Sequence, residues 1–110
     1  MASIDAAKLI EQMLTAAEGA ARGHAGDLKN YLEQRAQIIA DGSHKIVEDR
    51  LARKIDDEDV KFAFDQIKKS AETSLLAVKV TVKAAAQDAV NAALGIAAAA
   101  INKAIGIALL

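Results

Sequence analysis

The chain has 110 residues and contains no cysteine, no proline and no tryptophan, with only one tyrosine and two phenylalanines. Without cysteine there is no disulfide framework, thiolate zinc site or thiol nucleophile. Without proline, nothing removes a backbone donor from a helix interior, and six glycines are the only other strong breakers. The shortage of aromatics means that any core is built from aliphatic side chains of modest size. A charge of one sign is missing too: 14 Lys and Arg balance 15 Asp and Glu. The formal charge of −1 therefore exerts no overall pull toward nucleic acid or anionic lipid. The start, MASIDAAKLIEQ, carries acids early and lacks a basic stretch followed by an apolar run. It is not a secretory signal, which predicts a cytoplasmic protein, export by a dedicated machine aside.

Alanine fills the space that these residues leave, with 26 positions. Because alanine is the strongest helix former, the chain is expected to be a single all-α domain over residues 1–110.

The clearest boundary lies mid-chain. Arg50-Leu51-Ala52-Arg53-Lys54 suits the last turn of a helix, and Asp56-Asp57-Glu58-Asp59 suits a first turn. Asp56 is a good N-cap, and Asp59 completes a pattern resembling a capping box. Ahead of this boundary, residues 3–54 read as helix with breaks near 23–26 and 41–43. Ser3 is a candidate cap for a helix carrying Ile4, Ile10, Leu14, Ala17 and Ala21. Asp27 can cap a stretch with Leu28, Leu32, Ala36 and Ile39. Gly23-His24-Ala25-Gly26 and Asp41-Gly42-Ser43 are each either a kink or a true turn.

Beyond the boundary one apolar stripe runs from Val60 through Phe64, Ile67, Ala71, Leu75, Val78, Val82, Ala85, Ala89, Ala93, Ile96, Ala100 and Ala104 to Ile107. Thirteen steps over 47 residues give about 3.6 residues per step, the period of a straight helix. The spacing predicts one helix over 57–109, about 50 residues and roughly 75 Å long. A rod of that length cannot be enclosed by the remaining residues. The expected architecture is an elongated helical hairpin or few-helix rod whose ends assemble into an oligomeric helical bundle. In a hairpin, the Ala16-Ala17…Ala20-Ala21 stretch lies antiparallel beside the C-terminal end.

The face opposite the stripe is wet at first: Lys61, Asp65, Lys68, Glu72, Leu76, Lys79, Lys83 and Gln87. After Ala89 it turns apolar, and the twenty residues Asn91–Leu110 contain one charge, Lys103. A helix apolar all round is buried or membrane-embedded. Insertion energies sum to near zero over this segment, which also lacks an aromatic belt, so spanning is not favoured. One partner helix covers only one side. The candidate self-association surface is therefore Ala89, Ala93, Leu94, Ile96, Ala97, Ala100, Ile101, Ala104, Ile105, Ile107 and Leu109. The expected partner is a second copy of the chain, in a closed oligomer or a fibre, with another helical protein as an alternative. A membrane-active hairpin inserting residues 89–110, as a tail anchor or a pore, is the competing functional reading. Gly95/Ala99 and Asn102/Gly106 add small-residue spacings of the kind that bring helices close.

Chemistry is sparse. Asp41 and His44 have the carboxylate-x-x-His spacing of di-iron bundles, but such a site needs two of these motifs and two more inward carboxylates. Ser43 beside His44 makes no dyad, and Gly23-His24-Ala25-Gly26 lacks the lysine of a phosphate loop. Arg35, Arg50, Arg53, Lys54, Lys61, Lys68 and Lys69 interleave with acids, the pattern of a solvated face rather than a nucleic-acid site. Phe64 reads as core, Phe62 as a subunit contact and Tyr31 as a half-buried packing residue. The sequence thus predicts a non-enzymatic structural or scaffold subunit with no catalytic residue, metal or cofactor.

Overall fold

A computed structural model describes residues 4–110, all-helical apart from short turns and with no strand among them. Four helices follow one another: α1 (Ala6–Ala20), α2 (Ala25–Leu51), α3 (Asp57–Ser74) and α4 (Val80–Ile105). Ser3 lies outside the described residues. The first helix is capped by Asp5, whose carboxylate accepts from the Lys8 N–H at 3.2 Å.

Only one of the two suspected breaks is a turn. Arg22 and Gly23 both adopt left-handed backbone conformations, at φ 52° and 89°, and end α1. The next helix then begins at Ala25, with His24 rather than Asp27 at the N-cap position and Asp27 inside the first turn. Asp41-Gly42-Ser43, by contrast, is continuous helix. Ser43 is fully buried, and its hydroxyl donates to the Ile39 carbonyl one turn back at 2.7 Å. Gly42 faces α3 closely: a Cβ there would stand 2.8 Å from Ile67 Cδ1. A glycine that looks like a breaker in the sequence is here a contact point between two helices.

The mid-chain corner follows the sequence closely. Helix α2 ends at Leu51, Arg53 turns left-handed at φ 61°, and Asp56 caps α3. The capping box is complete: the Asp59 N–H donates to Asp56 Oδ1 at 2.9 Å, and the Asp56 N–H donates to Asp59 Oδ2 at 3.0 Å. Arg50 reaches across the corner to Asp57 at 2.8 Å.

The long helix over 57–109 does not form. It breaks after Ser74 into a 3₁₀ turn, Leu75–Ala77, and two extended residues, Val78 (ψ 139°) and Lys79 (ψ 140°). Three causes meet there. Ser74 Oγ donates to the Ala71 carbonyl at 2.6 Å, competing with the backbone ladder. Val78, Val80, Thr81 and Val82 form a β-branched cluster of weak helix propensity. Finally, α4 buries far more apolar surface by folding back than by extending into solvent.

The elongated rod is therefore replaced by a compact bundle within one chain. Its principal extents are 44 × 23 × 19 Å and its Cα radius of gyration is 13.8 Å, close to the ~13 Å of a compact 100-residue domain. Helix α4 is the central element and packs against α1 most extensively, then α2, and only lightly against α3. Arg22, at the end of α1, pairs with Asp88 near the start of α4, while Lys8 and Lys103 line the other end of the same groove. The two helices are thus antiparallel. At its C-terminal end α4 stops at Gly106 (φ 91°), and the Asn102 side chain gathers the tail. Asn102 Oδ1 accepts from the Leu109 and Leu110 N–H groups at 3.0 and 2.9 Å.

Candidate functional site

The surface proposed from the sequence divides into an inward and an outward part. Ala89, Ala93, Leu94, Ala97, Ile101 and Ala104 are buried against the chain's own helices, three of them completely. Ile96, Ala100, Ile105 and Leu109 are half-buried, and Ile107 is exposed in the tail beyond α4. The second apolar face of α4, which begins with Leu94 and Ile101, is thus largely covered from within.

What remains outside is one strip of α4 and a groove on each side of it. Asn91, Gly95, Ala99 and Lys103 are exposed along the strip, with Ala92, Ala98 and Asn102 half-buried. The larger groove, about 730 Å³, lies between α1 and α4. Ala16, Ile96, Ala99 and Ala100 make its apolar surface, Gln12 and Thr15 its wall, and Lys8, Glu11 and Lys103 one charged end. The smaller groove, about 380 Å³, separates α4 from α3. Phe64, Leu94 and Ala98 form its apolar part, Lys61, Asp65 and Lys68 its rim, and Leu110 closes one end. Both grooves are open depressions, without convergent polar groups for a small molecule.

The side chains weighed for chemistry are engaged otherwise. His44 Nδ1 lies 3.1 Å from the Ile4 carbonyl and Nε2 lies 3.1 Å from Glu48, so the imidazole ties the segment before α1 to α2. His24 stands 3.7 Å from Asp27 at the start of α2. Among the described residues no three His, Asp or Glu side chains gather into a cluster that could hold a metal ion. Of the mid-chain charges, Asp56 is held below the ordinary carboxylate range. Its first cause is the hydrogen bond from the Asp59 N–H, and Arg50 adds a smaller contribution.

Phe64 is core and Phe62 is exposed at the surface of α3. Tyr31 is half-buried and hydrogen-bonded to Ser74. Sequence reasoning did not single out Lys8, Gln12 or Thr15, which wall the larger groove. Their signal was available in principle: they sit at helical spacing on the flank of α1, beside the buried row Leu9, Met13 and Ala17. Comparison with protein-family models, curated proteins and solved structures finds no match to this chain.

Proposed function

We propose that this chain is a non-enzymatic structural or scaffold subunit that works by associating with copies of itself. The observation that carries this reading is the outward strip of α4. It is apolar or small from Ala92 to Ala100, it is flanked by an apolar groove of about 730 Å³, and among the described residues no other element covers Gly95 and Ala99. Apolar surface left on the outside of a small domain offers a partner a place to dock. Its small side chains also let a second helix approach closely. The contact is narrower than the eleven residues first assigned, because six of those are buried within the subunit.

Light scattering on the purified chain without detergent tests the proposal. The expected mass is a multiple of 11.5 kDa that falls toward one subunit on dilution. Ile96→Glu, at the half-buried edge of the groove, is expected to yield a folded monomer. A wild-type monomer at concentrations of about 100 μM, weaker than any useful scaffold contact, would remove it.

A membrane-active role is the second reading, favoured by one observation. Helix α4 is 26 residues long and apolar enough to cross a bilayer, with Lys79 and Lys83 near one end and Lys103 near the other. Against it, Asp88 lies within the span and Ile101 is sealed inside the bundle. Flotation with anionic vesicles decides it.

A further inference from the structure

Asp88, Ala92, Gly95, Ala99 and Lys103 succeed one another at helical spacing along the outward strip of α4. The strip carries one acid and one base, and they stand at matched positions. Asp88 is seven residues before Gly95, and Lys103 is seven residues after Ile96; Ala92 and Ala99 are likewise three residues from each. Reversing the helix about the Gly95–Ile96 bond therefore brings Asp88 opposite Lys103 and Ala92 opposite Ala99.

Asp88 is ion-paired with Arg22 of its own chain at 3.2 Å, and its side chain remains 40% exposed. Lys103 is exposed at the rim of the larger groove. Between them the strip is low. A Cβ on Gly95 would meet nothing within 4 Å, so no neighbour inside the fold calls for glycine at this mid-helix position. Glycine is a poor helix residue, and here it leaves the surface hollow at the centre of the strip.

We propose that α4 pairs with α4 of a second copy, antiparallel, about a two-fold axis that passes between the two helices at the level of the Gly95–Ile96 bond. The pairing rests on the self-association reading above and names its geometry. Two Asp88–Lys103 contacts flank a close crossing of alanines and glycine, and the interface is isologous, as a two-fold requires. A parallel pairing sets Asp88 against Asp88 and Lys103 against Lys103, which like charges disfavour.

Because the chain has no cysteine, single-thiol variants of the full chain test the geometry directly. Under mild oxidation Gly95→Cys is expected to form a covalent dimer, and Leu76→Cys, exposed away from the strip, is not. By light scattering, Asp88→Lys and Lys103→Glu are each expected to weaken dimerisation by about tenfold, as loss of two rim ion pairs implies. The double variant Asp88→Lys/Lys103→Glu is expected to restore it. Circular dichroism confirms that each variant is folded, and the Gly95→Cys result does not depend on the charge variants. A wild-type oligomer that shows neither rescue nor the Gly95→Cys cross-link overturns this pairing and leaves self-association standing. A monomer under all conditions, or a complex formed only with a different protein or with vesicles, overturns both.

Discussion

The Tyr31 phenol lies 2.7 Å from the Ser74 hydroxyl, joining the first third of α2 to the last residue of α3. Ser74 donates its own proton to the Ala71 carbonyl at 2.6 Å, so Tyr31 is the donor to Ser74. The pair fixes the end of α3 one residue before the chain leaves the helix. Everything after Ser74 depends on that exit, because it turns α4 back along α1 and α2.

Replacing Tyr31 with Phe removes the donor and keeps the packed ring. The expected cost is about 1 kcal/mol in denaturant unfolding, the usual value of one part-buried hydrogen bond. Amide exchange over residues 75–79 is expected to accelerate more than exchange at the Asp56 corner. Equal effects at both places would show that Tyr31 does not hold the bend.

The central position of α4 predicts a sharp contrast between two leucine-sized side chains. Ile101→Ala opens a cavity at a fully buried site and is expected to cost about 2–5 kcal/mol. Leu76→Ala, at a side chain 78% exposed, is expected to change stability by less than about 0.5 kcal/mol. Thermal unfolding of the two variants measures both. In the extended rod that periodicity alone suggests, an isolated monomer exposes Ile101 and the contrast disappears.

The capping box makes part of the stability depend on pH. Asp56 has a folded-state pKa below its unfolded value, chiefly because its carboxylate accepts from the Asp59 N–H. Its contribution is complete above the unfolded-state value of about 3.9 and is lost as pH falls through the lower folded-state value. Melting temperature followed from pH 6 to pH 2 is expected to fall across that acid window. Asp56→Asn keeps an acceptor for the Asp59 N–H and is expected to flatten this part of the profile.

Arg53 holds a left-handed backbone at φ 61°, which costs a side-chain-bearing residue about 1 kcal/mol. Arg53→Gly is therefore expected to raise stability by up to about 1 kcal/mol, less the chain entropy that glycine adds to the unfolded state. Gly23→Ala, at φ 89°, is expected to do the opposite. Chemical denaturation of the two variants gives the signs.

Much of this architecture was legible in the residues. Alanine content and the missing prolines predict an all-α chain, and the Asp56–Asp59 box marks the start of α3 because capping is a local event. The stripe also faces inward as far as Ala93, as its period implies, with Val60, Phe64, Ala71, Ala89 and Ala93 buried, while Ile96 and Ala100 are half-buried and line the larger groove. Periodicity reports which side of a helix faces the core, but it is blind to the direction of the axis. Leu75 and Val78 keep the stripe in phase through the 3₁₀ turn while the chain changes course, so a count of spacings reads two helices as one. Gly42 misleads for a related reason. Its purpose is the approach of Ile67, 25 positions away, which no local pattern contains.

The interaction surface divides along the same line. The residues alone show that α4 is apolar nearly all round after Ala89 and needs cover, from other helices or from a membrane. Which helices supply that cover emerges only once the chain is packed. Once the chain bends at Val78 and Lys79, α4 packs chiefly on α1 and α2 with Ala93, Ala97 and Ile101 buried, leaving Gly95, Ala99 and Lys103 exposed. Burial is a property of the whole packed chain: composition sets how much apolar surface must be hidden, and long-range packing chooses where.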